Sequence, residues 1–137
     1  MRFHLIDTIL SQTSDRIVAL KQVSLAEEYL ADHFPSFPIL PGVLMIEAMV
    51  QAARKMLAAN DSRNARLVLG EVKALKFGNM VRPGEALEVE VTLQKSNDDG
   101  SFTCKGTGTV RRRTSQSGGS DDTAVSGRIT MRPARTD

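Results

Sequence analysis

The sequence predicts an α+β protein in which an antiparallel sheet wraps one long buried helix. Three observations carry this: an apolar segment with no helix breaker after Gly42, several segments that alternate apolar and polar residues, and a proline-punctuated strap joining the two kinds of pattern.

Taken in chain order, residues 4–10 and 16–23 read as two short strands around a Ser-Gln-Thr-Ser-Asp turn. Pro35, Pro38 and Pro41 then fix their own φ and push the residues before them out of the helical region, so the strap that holds Phe34 and Leu40 is extended and stiff. From Gly42 onward Val43, Leu44, Met45, Ile46, Ala48, Met49, Val50, Ala52, Ala53, Met56 and Leu57 lie on every side of a helical wheel, the pattern of a buried helix. Glu47, Gln51, Arg54 and Lys55 form its one polar stripe. Residues 67–77 read as a strand whose alternation slips phase near Glu71, as a bulge would produce. Leu87, Val89, Val91 and Leu93 alternate with Glu88, Glu90, Thr92 and Gln94 in a half-buried strand, and Asn97-Asp98-Asp99-Gly100 turns the chain into the next one. There Phe102, Cys104, Gly106, Gly108 and Val110 share a face, and its two glycines leave room for the helix to come close. Residues 114–123, TSQSGGSDDT, are expected as a flexible loop before a last strand at 124–131, with residues 1–137 forming a single domain.

Composition excludes several functions. The 137 residues, 41% hydrophobic, can bury one core but contain no long apolar run, so no membrane span is expected, and a cytoplasmic location follows as the default. A net charge of +2, without aromatic residues set among basic ones, argues against nucleic acid as a partner. Cys104 is the single cysteine, expected as a small buried side chain rather than a nucleophile. The two histidines, His4 and His33, have no cysteine nearby, and no metal site is expected. Of the basic residues, Arg111-Arg112-Arg113 reads as a solvated strand end or as an anchor for an acidic partner, while Arg54, Lys55, Arg63 and Arg66 are better placed to border a site fed by an acidic carrier protein.

The chemistry concentrates in residues 33–51, where a histidine on a rigid strap leads into a helix with one early carboxylate. His33 and Glu47 together suggest a proton-transfer pair. Taken singly they also admit plainer roles, a hydrogen-bonding loop histidine and a solvent-facing helical glutamate.

The whole string narrows the choice. His33-Phe34-Pro35, Pro38, Pro41-Gly42, Glu47-Ala48 and Gln51 match, at the same spacing, the signature His-Phe-Pro-x-x-Pro-x-x-Pro-Gly and Glu-Ala-x-x-Gln. In this the chain resembles the β-hydroxyacyl-acyl carrier protein dehydratases of the hot-dog fold. Lys76-Phe77 and Val81-Arg82-Pro83-Gly84-Glu85 are similar to a second segment of that family, and Arg16 to Lys21 to the strand ahead of its active-site loop. The resemblance implies dehydration of (3R)-hydroxyacyl thioesters to trans-2-enoyl thioesters, with the substrate carried on the phosphopantetheine of acyl carrier protein and no cofactor. It implies His33 as the base at C2 and Glu47 as the acid at the hydroxyl. Gly42 and Val43 fall at the helix start, where backbone N–H groups polarise the thioester oxygen. Gln51 is a candidate to orient the carboxylate, and Val43 and Phe34 are candidates to line the acyl tunnel. The family assembles as a homodimer or a trimer of dimers, which also suits a sheet with an open edge. Two other readings stay open, a hot-dog acyl-thioesterase and a non-catalytic acyl-binding subunit of a hot-dog heteromer.

Asp32 and Ser36 stand where the family usually has glycine. A carboxylate at position 32 stabilises the protonated form of His33, so the free base is lost at a higher pH than it would be without it. Asp32→Gly is therefore expected to move the acidic limb of the kcat/KM profile to lower pH, and an unmoved limb would remove Asp32 from the electrostatics of the histidine.

Overall fold

A computed structural model describes residues 5–23, 40–111 and 122–134. Its elements are β1 (Thr8–Gln12), β2 (Arg16–Gln22), α1 (Gly42–Asn60), a 3-10 turn (Ser62–Arg66), β3 (Val68–Phe77), β4 (Ala86–Ser96), β5 (Phe102–Arg111) and β6 (Thr123–Arg132). The strands form one sheet in the order β1-β2-β4-β5-β6-β3, antiparallel at every step. Helix α1 packs across β2, β3, β4, β5 and β6, which makes the expected α+β arrangement of a sheet wrapped on a single helix.

The period-two pattern of β4 explains both faces of the sheet. Leu87, Val89 and Val91 are fully buried beneath the helix, while Glu88 and Glu90 point outward to Arg111 at 3.1 Å and Arg16 at 2.7 Å. On β5, Cys104, Gly106, Gly108 and Val110 are buried, again as the alternation predicts. A methyl group on Gly106 would lie 2.5 Å from the Met49 sulfur, so the bare backbone there is what admits the helix. Gly108 plays a different part from the one expected. Its inner face meets Val125 and Leu87 of the neighbouring strands rather than the helix.

Helix α1 starts at Pro41, whose φ of −62° and ψ of 143° place it just outside the helix, and it ends where Asp61 turns extended. Met45, Ala48, Met49, Ala52, Ala53 and Met56 recur at helical spacing and face the sheet. Burial is complete on that side and partial on the other, since one sheet covers one side of a helix. Val43 remains 70% exposed, and Leu44 and Ile46 are half-buried.

The two edge strands depart most from expectation. β1 begins at Thr8 and continues through Ser11 and Gln12, residues assigned to the turn from sequence, with a register shift between Ile9 and Ser11. All five of its residues are exposed, so hydrophobicity gave no signal for its limits. β3 has the slip expected near Glu71, between Leu69 and Glu71, and a second between Lys73 and Lys76. At the second slip Ala74 takes a φ of 54°, a left-handed backbone that marks the bulge. Of the loop expected at 114–123, Thr123 opens β6 and Asp122 is described; residues 114–121 lie outside the described residues, as does His4. Among the described residues no helix is long and apolar enough to cross a membrane.

The contact between Met49 and Gly106 generates a prediction. Gly106→Ala should destabilise the protein by about 1–3 kcal/mol through overpacking, and Met49→Ala by about 2–5 kcal/mol through the space it leaves. In the double variant the new methyl enters that space, so urea unfolding should give a combined loss smaller than the sum. Strict additivity would show that the two positions do not meet.

Candidate functional site

The site is built on the first three turns of α1. The N–H groups of Leu44 and Met45 both donate to the Pro41 carbonyl, at 3.0 and 3.2 Å, and no side chain among the described residues caps the helix start. The N–H groups of Gly42 and Val43 are thus left without an acceptor among the described residues, at the positive end of the helix dipole. The Phe77 ring covers one side of this start. A methyl on Gly42 would lie 2.9 Å from its edge, so glycine is what lets the ring rest against the helix. Phe77 is itself 54% exposed, and Val43 beside it projects outward.

Glu47 lies one turn further on and is half-buried. Gln51 donates through Nε2 to Oε1 of Glu47 at 3.3 Å, and its own Oε1 accepts the main-chain N–H of Leu5 at 2.9 Å. The structure therefore brings Glu47 and Gln51 into contact, with Gly42 and Val43 on the turn below. His33 and Phe34 lie outside the described residues, together with Asp32 and Ser36. No residue pattern pointed to Leu5, whose contact is made by its main chain, or to Phe77 as the cover on Gly42, although Phe77 belongs to a segment already singled out.

Of the four basic residues in the second half of the helix and just after it, two are engaged in structure. Arg54 donates through Nε to the Leu67 carbonyl at 2.9 Å, holding the chain after the helix against it. Arg63 pairs with Asp61 at 2.6 Å, and its hydrogen bonds hold the exposed Asp61 carboxyl down at about 2. Lys55 and Arg66 are exposed. A groove of about 670 Å³, bordered by Arg63, Arg66, Leu67 and Phe102, lies at this end of the helix. Asn60, on its rim, is thirteen residues beyond Glu47, about 20 Å along the axis, so the groove is separate from the carboxylate. Among the described residues no group of three or more His, Cys, Asp or Glu side chains could hold a metal ion.

Comparison with known proteins places the chain in a family. Residues 10–117 match the ApeI-like family, described as ApeI dehydratase. The 3-hydroxyacyl-[acyl-carrier-protein] dehydratase FabZ of Latilactobacillus sakei is 43% identical over 96 residues, 69% of this chain and 69% of that protein. The protein of the same name from Petrotoga mobilis is 34% identical over 113 residues, covering 81% and 79%. Among solved structures, the dehydratase heterocomplex ApeI:P from Xenorhabdus doucetiae aligns with a TM-score of 0.69 at 17% identity, over 95% of this chain and 98% of that one. An acyl-CoA hydrolase from Bacillus cereus aligns at 0.66 and 15% identity, over 90% and 68%. The fold is the hot-dog fold, and it is common to dehydratases and hydrolases.

Cys104 stands apart from this site. It is fully buried on the inner face of β5, and loss of hydration pushes its thiol up to about 12. The folded thiol thus titrates above the ordinary 9.0, so its contribution to stability is intact below that value and is lost as pH rises toward 12. Iodoacetamide at pH 8 should leave the native protein unmodified by mass spectrometry and add one adduct after denaturation. Rapid labelling of the folded protein would contradict this burial.

Proposed function

The chain belongs to the ApeI-like dehydratase family and removes water from 3-hydroxyacyl chains carried on acyl carrier protein, and we propose that His33 and Glu47 move the two protons of that reaction. The observation that carries this assignment is the carboxylate of Glu47, half-buried one turn above an uncapped helix start, with one oxygen held by Gln51. Dehydration needs a base at C2 and an acid at the C3 hydroxyl. His33 takes the C2 proton, and the electron pair left behind becomes the C2–C3 double bond. The C3–O bond breaks as Glu47, in its acid form, gives its proton to the departing hydroxyl, and the product is water. The C2 proton is acidic only if the thioester oxygen can accept charge, and the free N–H groups of Gly42 and Val43 suit that purpose. No electrons enter or leave, so the reaction asks for no cofactor beyond the phosphopantetheine arm that carries the substrate. Phe34 follows His33 directly and is assigned to the wall of the acyl tunnel.

The working unit is proposed as a homodimer, alone or as a trimer of dimers, in the cytoplasm. Among the described residues β3 has a neighbour on one side only, and Val43 and Phe77 expose apolar surface beside the helix start, where a second copy would cover them. Each site then combines His33 of one chain with Glu47 of the other. Thioester hydrolysis is the less favoured reading, since both sequence relatives named above are dehydratases.

His33→Ala and Glu47→Gln should each abolish most dehydration while leaving the fold intact by circular dichroism. Near-normal turnover by either would reject the pair. If the two inactive chains are unfolded and refolded together in equal amounts, about half of the dimers are mixed, each with one intact site, and roughly a quarter of wild-type activity returns. Heterodimers without recovered activity would show that each site is built within one chain.

A further inference from the structure

The outer face of the sheet is divided by charge. On β2 and β4 the charges are matched, Arg16 with Glu90 at 2.7 Å and, from β5, Arg111 with Glu88 at 3.1 Å. β3, β5 and β6 together hold six lysines and arginines but one carboxylate, Glu71. The chain as a whole carries only +2, so its positive charge is gathered on these three strands. Register brings three of the cations into one row: Lys105 on β5 lies opposite Arg128 on β6, and Arg128 lies opposite Lys73 on β3. All three are exposed, and Lys76 extends the patch further along β3, opposite Ser126. Glu71 pairs with Lys73 at 3.3 Å, whereas among the described residues Lys76, Lys105 and Arg128 have no acidic partner.

Like charges directly opposite each other on neighbouring strands destabilise a sheet, and Arg128 has one on each side. A face that is merely solvated has no need of that arrangement, and the β2–β4 half shows the neutral alternative. The row also has a pitch. Strands lie about 4.8 Å apart, and carboxylates three or four residues apart on one face of a helix recur about once per 5.4 Å turn. An acidic helix laid across β5, β6 and β3 therefore meets one cation per turn. The row ends at the edge nearest the site. Lys76 and Phe77 are neighbours on β3, Lys76 turned outward and Phe77 with its ring on Gly42, so only the edge strand separates a partner on the outer face from the helix start.

We propose that the outer face of β5, β6 and β3, through Lys105, Arg128, Lys73 and Lys76, docks an acidic helix of the carrier protein that brings the substrate. This rests on the chain acting on carrier-bound acyl groups. Contacts with the carrier add to binding and not to the chemistry, so their loss falls on KM rather than kcat. It has no effect on a substrate presented without the carrier.

The test is Arg128→Glu, assayed with one 3-hydroxyacyl chain presented on acyl carrier protein and on pantetheine alone. The reversed charge lies between Lys105 and Lys73, so Tm should rise even as docking weakens. KM for the carrier-bound substrate should increase about tenfold with kcat unchanged. Both constants for the pantetheine thioester should keep their wild-type values. Lys105→Glu, which faces Arg128, should behave in the same way. In the wild-type protein the carrier KM should climb with added salt, and less steeply in either variant.

An unchanged carrier KM in both variants would overturn the proposal. So would a raised KM in Arg66→Glu in their place, which would put the carrier at the far end of the helix. Sedimentation with phosphatidylglycerol vesicles that is lost in Arg128→Glu, while the carrier KM holds, would give the face to a membrane instead. If the wild-type protein handles the carrier and pantetheine substrates with the same kcat/KM, the carrier-bound reading fails and the docking face falls with it.

Discussion

A helix lies only as close to a sheet as the side chains between them allow. Here the approach is set where Met49, fully buried, meets the bare backbone of Gly106. This contact fixes both the height of α1 above β5 and its rotation. Residues advance about 100° around a helix at each step, so a residue two positions from Met49 on either side points away from the sheet. Those residues are Glu47 and Gln51. The core contact and the outward presentation of the carboxylate are consequences of one rotation.

The same sheet supports hydrolases and dehydratases, so the strands do not select the reaction. Under the proposed assignment, selection rests on what the first turns of the helix present. In this chain that is a donor-rich start, a carboxylate with one oxygen engaged, and an aromatic ring resting on Gly42. The edges of the sheet are given to other tasks. β3 is interrupted twice, at Gly70 and around Ala74, and such kinks limit indiscriminate pairing of an exposed strand while leaving a shaped surface for a specific partner.

How far the sequence disclosed this architecture follows from how far burial governs each element. β4 and β5 alternate because one face of each is under the helix, and their limits and faces could be read within a residue or two. α1 was legible because Pro41 and Gly42 punctuate its start and nothing interrupts it afterwards. β1 was misplaced because an edge strand with five exposed residues has no apolar period to read. The second bulge of β3 depends on a left-handed Ala74, a residue with no preference for that backbone. In the site, the motif pointed to Glu47, Gly42 and Gln51, since each is a residue type chosen for its side chain or for the lack of one. The Leu5 contact was illegible because every residue except proline offers the same N–H. Gly108 was assigned to the helix because spacing alone cannot tell which neighbour fills the gap over a glycine.

The anchoring of Leu5 has a consequence for how the protein opens on heating. The segment holding Leu5 is tied to the sheet by the Asp7 N–H and then by β1, a short edge strand with no buried residue. Such a strand opens at a free energy well below that of global unfolding, and its amides exchange with solvent first, while those of β4 and β5 exchange last. When β1 detaches, the helix, the inner strands of the sheet and the Glu47 carboxylate all remain in place. Opening of this edge and unfolding of the core are thereby separate events, and hydrogen exchange resolves them as two groups of amides.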